Sequence, residues 1–89
     1  MAWKIEFDRS AERELDRLGP DAARRILRFL RDRVSPLDDP RAIGEALKGA
    51  KLGSLWKYRV GDYRVIASIE DGCLRIVVLR VGHRREVYR

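Results

Sequence analysis

Leu55-Trp-Lys-Tyr-Arg-Val-Gly-Asp-Tyr-Arg-Val-Ile-Ala-Ser-Ile69 is the stretch on which the fold turns. Its side chains alternate with a period of two on both sides of Gly61-Asp62, a dipeptide suited to a two-residue hairpin turn. With these as the central residues, Val60 pairs with Tyr63, Arg59 with Arg64, Tyr58 with Val65 and Lys57 with Ile66. A third strand follows from Cys73 to Val81, and Asp71-Gly72 reads as a second two-residue turn. That turn sets Ala67 opposite Ile76 and Arg64 opposite Leu79.

Because successive side chains point to opposite faces of a sheet, two surfaces result. One carries Trp56, Tyr58, Val60, Tyr63, Val65, Ala67, Ile69, Leu74, Ile76 and Val78, an apolar surface that requires a cover. The other carries Lys57, Arg59, Arg64, Ile66, Ser68, Arg75, Val77 and Leu79, with its cations gathered at the Gly61-Asp62 end. Two arginines directly opposite repel, by a few tenths to about 1 kcal/mol, and in this register no carboxylate on that face lies opposite these positions. A bound phosphate relieves the repulsion, and guanidinium forks match its oxygens.

The cover lies upstream. Trp3, Ile5 and Phe7 alternate with Lys4, Glu6 and Asp8 as a half-buried strand. Ser10 is placed to cap a first helix, with Glu12 and Glu14 in its first turn, and Gly19-Pro20 ends it. A second helix begins near Pro20-Asp21, with Ala23, Ile26, Leu27, Leu30 and Val34 as its apolar stripe. Arg24, Arg25, Arg28 and Arg31 lie mostly on its other faces and read as solvated. Ser35-Pro36 and Asp38-Asp39-Pro40 break it; Arg41 to Leu47 suit a short third helix. The expected architecture is a single α+β domain over residues 1–89: an antiparallel four-stranded sheet with two N-terminal helices on one face, in the order β-α-α-β-β-β.

Composition is consistent with a small basic protein. The chain has 89 residues and a formal charge of +6. Residues 1–40 hold nine Lys/Arg and nine Asp/Glu, so the whole excess lies in residues 41–89, which points to a polyanionic partner. The N-terminus lacks the apolar run of a signal or membrane span. Cys73 is the single cysteine, which fits a reducing cytoplasm and leaves no disulfide. With one histidine, one cysteine and no clustered carboxylates, no metal or other cofactor is expected. The C-terminal Val81-Gly-His-Arg-Arg-Glu-Val-Tyr-Arg89 leaves the last strand beside the cation cluster, so His83, Arg84, Arg85 and Tyr88 add phosphate binding, proton transfer and an aromatic face for a base.

The order of elements, Leu47-Lys-Gly49, Leu55 to Val65 and the Val81 to Tyr88 ending resemble the RelE/ParE superfamily, the toxins of type II toxin–antitoxin pairs. The resemblance spans essentially the whole chain. It implies a cognate antitoxin that covers the basic face or displaces the C-terminal segment. In the RelE branch, which the ending favours, it implies an endoribonuclease that cuts mRNA on the ribosome. The matching positions are Lys57, Arg59, Arg64, Arg84 and Tyr88, with His83 where relatives carry Lys or His. Arg59 departs from the pattern by standing where a lysine serves the chemistry, and a guanidinium is a poor base. Proton removal then falls to Lys57 or His83, and Arg84 or His83 assists the leaving oxygen. Arg59 and Arg64 stabilise charge, Arg85 adds phosphate binding, and Tyr88 orients a base. The rival implications are a ParE-type poison of DNA gyrase and a degenerate toxin that acts only with its antitoxin at a promoter.

Overall fold

The computed structural model describes residues 2–47 and 55–83. Its elements are β1 (Lys4–Phe7), α1 (Arg9–Leu18), α2 (Pro20–Phe29), β2 (Glu45–Ala46), β3 (Leu55–Val60), β4 (Tyr63–Glu70) and β5 (Arg75–His83). The sheet has five strands in the order β1-β5-β4-β3-β2. The two helices and the sheet's apolar face are as the sequence suggests, but the sheet is larger and mixed. β1 runs parallel to β5 at one edge, a pairing made after the chain has passed through both helices and the other strands. β2 forms the opposite edge, where a short third helix was expected. Pro40 and Gly44 leave room only for a 3-10 turn, Pro40–Ile43, before the chain extends.

The first hairpin has the expected register, with Val60 opposite Tyr63 and Arg59 opposite Arg64. Gly61 has φ +60° and Asp62 does not share the positive sign, the pattern of a type II′ turn with glycine at its first central position. The second hairpin differs. Asp71–Cys73 form a 3-10 turn and Leu74 enters the left-handed region at φ 49°, so the connection takes four residues. Ala67 therefore faces Val78, not Ile76, and exposed Leu74 leaves the apolar face. A bulge then shifts the pairing between Ile66 and Ala67, so Arg64 faces Gly82 instead of Leu79. The extra residue returns Val81 to the apolar face, where it is fully buried.

The core lies between that face and the helices. Ala11 and Leu15 of α1 and Ile26 of α2, with Leu30 and Val34 just beyond, pack on Tyr58, Val60, Val65, Ala67, Ile76, Val78 and Val81. Asp8, not Ser10, is the N-cap of α1: its carboxylate accepts from the Ser10 backbone and, at 2.7 Å, from the Ser10 hydroxyl. The end of the expected α2 stripe is a π turn, Leu30–Val34, closed by the Ser35 amide on the Leu30 carbonyl. Ser35 then clasps the start of β1, accepting from the Trp3 amide at 2.8 Å and donating its hydroxyl to the Trp3 carbonyl at 2.6 Å.

Glu14 joins α1 to the far half of β5, beyond the end of β1. One carboxylate oxygen accepts from the Val81 amide at 2.9 Å, and the other lies 3.3 Å from Arg80. Removing it leaves a partly buried N–H without an acceptor, so Glu14→Ala should lower unfolding free energy by about 1–3 kcal/mol. Denaturant titration measures this; an unchanged midpoint would show that water replaces the carboxylate without loss.

Candidate phosphate-binding site

Lys57, Arg59 and Arg64 come together on the sheet face away from the helices. Lys57 and Arg59 alternate along β3 and Arg64 lies on β4 directly opposite Arg59. Their surroundings differ. Arg59 is exposed, whereas Arg64 is 8% exposed, the one charged residue assigned to the interior among the described residues. Gly82 opposite offers no side chain to obstruct it. The Arg64 guanidinium donates from Nη1 to the Tyr63 carbonyl at 3.1 Å. Among the described residues no carboxylate lies within ion-pair distance of it. A guanidinium has five donors, and burying a charge without a counter-ion is costly; an anion at this position answers both.

A recess of about 40 Å³ is lined by Ile43, Glu45, Lys57, Tyr58, Arg59 and Arg64. It suits a phosphate group better than a base. Glu45 is the residue the sequence reading missed: it lines the recess from a strand that was not expected, although it lies opposite Lys57 and not opposite either arginine. It pairs with Lys57 in register, with Nζ and Oε2 3.5 Å apart. The usable signal was the Pro40–Gly44 spacing, too tight for a helix, which leaves Glu45 extended beside β3.

Three contacts hold Glu45 there. Gly44 lies so close to Tyr58 that a Cβ would sit 2.9 Å from Cε1 of the ring. The Tyr58 hydroxyl in turn donates to the Pro40 carbonyl at 2.6 Å, and burial pushes its pKa up to about 12. Arg41 clips the same segment to the β4–β5 connection, bonding both Asp71 oxygens at 3.1 and 2.6 Å, with its guanidinium 5.8 Å from the centre of the Trp56 ring.

His83 stands at the same end of the sheet as Arg64 but on the other face. It pairs with Tyr63, ring edge to ring face at 6.0 Å. The bulge that brings Gly82 opposite Arg64 is the reason. Arg84, Arg85 and Tyr88 lie outside the described residues, as does the connection through Gly49 and Gly53.

A second depression, of about 380 Å³, adjoins the first. Arg25, Arg28, Phe29, Asp32 and Arg33 line it on the helical side, and Arg59, Val60 and Gly61 line it on the hairpin side. Arg25 and Arg28, which read as solvated helix positions, thus face a groove, and Arg59 belongs to both depressions.

A small sheet under a helical hairpin is a fold shared with solved toxin structures. Residues 5–88 match the family model described as ParE toxin of type II toxin–antitoxin system, parDE, and the chain belongs to this RelE/ParE toxin family. Toxin RelG of Mycobacterium tuberculosis is 30% identical over 89 residues, covering 100% of this chain and 99% of the relative. Toxin RelE of the same organism is 31% identical over 88 residues, covering 98% and 87%. Among solved structures, a RelBE toxin–antitoxin complex from M. tuberculosis superposes with a TM-score of 0.82 at 28% identity, covering 97% of this chain and 95% of the other. An arginine-to-alanine mutant of free E. coli toxin RelE gives 0.77 at 26%, covering 99% and 92%. The family expected from the strand motif and the ending is therefore the right one. No helix among the described residues is long and apolar enough to cross a membrane.

The Arg41 clip gives a pH dependence. Hydrogen bonding to Arg41 holds the Asp71 carboxyl below the usual carboxylate range. A depressed folded-state pKa contributes stability that is complete above the unfolded value, near pH 4, and is lost as pH falls through the folded value. The thermal midpoint should fall between pH 6 and pH 3, and Arg41→Ala should reduce that fall. Parallel melting curves with identical pH slopes would exclude the clip as a contributor.

Proposed function

We propose that this toxin is a ribosome-dependent mRNA endoribonuclease held in check by a RelB-type antitoxin. The observation that carries the reading is Arg64, buried, without a counter-ion among the described residues, facing Arg59 across a recess that also holds Lys57 and Glu45. Relatives named RelG and RelE toxins support it, as do toxin–antitoxin complexes of the same fold.

The reaction is attack of an RNA 2′-oxygen on the adjacent phosphorus. The new P–O2′ bond forms as the P–O5′ bond breaks, leaving a 2′,3′-cyclic phosphate and a 5′-hydroxyl. Negative charge grows on the non-bridging oxygens, where Arg64 and Arg59 donate. Arg64 is held by its backbone contact and buried surroundings, so it needs little reorganisation. The 2′ proton goes to a base in the recess; Glu45 is a second candidate there beside Lys57, and their pairing couples the two. The leaving 5′-oxygen takes a proton from Arg84, since His83 lies on the opposite face of the sheet, with Tyr88 orienting a base and Arg85 adding phosphate contact. The recess has no means of reading several bases in sequence, so a ribosome that presents the message supplies the positioning.

Purified protein added to translating ribosomes, with the 5′ ends of the mRNA mapped by primer extension, tests this. Cleavage at the ribosomal A site is expected, and Arg64→Ala should slow it by about 100-fold or more, the scale of losing one preorganised donor. Glu45→Gln should slow it while RNA affinity is kept. Intact mRNA with wild-type protein would overturn the reading; intact mRNA with DNA damage in expressing cells would select a gyrase poison instead.

A further inference from the structure

We propose that the groove between α2 and the β3–β4 turn is a second phosphate-backbone site, which takes the RNA strand as it leaves the Arg59–Arg64 recess. This rests on the RNA reading of that recess, and it adds a path for the strand that carries the scissile phosphate.

The charge in the groove is one-sided. Arg25, Arg28, Arg33 and Arg59 line it, and none has a carboxylate within ion-pair distance among the described residues. Asp32 is the one acid in the lining, and Arg31 engages both of its oxygens, at 2.9 and 3.4 Å. Arg24, the neighbouring helix cation, instead lies 4.0 Å from Asp21. Four guanidinium groups against one carboxylate, which feels the charge of Arg28 as well as that of Arg31, leave a net positive lining that attracts a polyanion.

Shape agrees with charge. The groove, at about 380 Å³ against about 40 Å³ for the recess, has room for a length of strand. Phe29 and Val60 give it an apolar floor, and the hairpin turn forms its rim. Gly61 is needed at that rim twice over: for its positive φ, and because a Cβ would lie 2.9 Å from Nη2 of Arg25. Arg25 is thus packed against the turn. Arg59 lines both depressions, so one strand passing over β3 reaches both sets of guanidinium groups. An acidic protein segment would meet the same cations, but it would leave the continuity with the phosphate recess without a purpose.

Fluorescence anisotropy with 2′-O-methyl oligoribonucleotides, which cannot undergo 2′-oxygen attack, separates the possibilities. Wild-type protein should bind a twelve-nucleotide probe more tightly than a four-nucleotide one. The triple variant Arg25→Ala, Arg28→Ala, Arg33→Ala should lose about 10-fold affinity for the long probe, and its log–log salt slope should become shallower by about 2. The short probe should be nearly unaffected. A control of equal charge, Arg9→Ala with Arg13→Ala and Arg17→Ala on the exposed side of α1, should change long-probe affinity by less than about 3-fold. Lysines at the three groove positions should restore the slope. Equal losses in the groove and control variants would reduce the effect to net charge and overturn the proposal; so would no loss, or loss confined to antitoxin binding. The outcomes are separable from the cleavage reading: A-site cleavage with an unaltered triple variant rejects the groove alone, and length-dependent binding without cleavage rejects the nuclease alone.

Discussion

The type II′ turn at Gly61-Asp62 is the constraint on which the remaining geometry depends. It pairs Val60 with Tyr63, and that pairing decides the face of every side chain on β3 and β4. Tyr58, Val60 and Val65 go to the helices, while Arg59 and Arg64 meet on the other surface. A slip of one residue would send Tyr58 and Val65 to water and the arginines into the core. Burial of the apolar set, at roughly 1.5–3 kcal/mol for each large side chain, far exceeds the repulsion between two opposed cations. The hydrophobic face therefore holds in place a pairing that the charges alone would not choose.

How far the chain could be read in advance follows from how local each determinant is. The first hairpin was legible because its turn residues and both flanking strands lie within sixteen consecutive positions, and the α1–α2 hairpin because Gly19-Pro20 punctuates two helical stripes. The second turn was not, because Asp71-Gly72 has a two-residue signature, yet Leu74 adopts a left-handed backbone and lengthens the connection. The bulge left only a faint trace: buried Ile76, Val78 and Val81 step by two and then by three, and apolar Val77 and Leu79 between them hide the change. The parallel pairing of β1 with β5 joins chain ends separated by most of the sequence and has no local marker at all.

The candidate site divides in the same way. Lys57, Arg59 and Arg64 followed from register. His83 was expected beside the cation cluster; it lies at that end of the sheet, and its face depends on the bulge, which the sequence does not mark. Glu45 could be placed only by knowing that a two-residue strand, braced by Gly44 against Tyr58, lies beside Lys57. Arg25 and Arg28 satisfy a helical pattern for solvated residues, and only the approach of the hairpin to α2 turns that surface into a wall of a groove. Residue type was informative throughout; the limit was tertiary proximity.

Glu14 has a consequence beyond its own contacts. Past Val78 no strand among the described residues lies beside the outer rim of β5, and an uncovered rim invites the backbone of another molecule. The Glu14 carboxylate accepts from the Val81 amide where an incoming strand's carbonyl would otherwise do so, and Arg80 holds it there. The strand at the opposite edge, Glu45–Ala46, is only two residues long and offers little to extended pairing. With Glu14 on it, the Val81 amide is closed to a strand arriving edge to edge, the route by which sheet proteins join into aggregates.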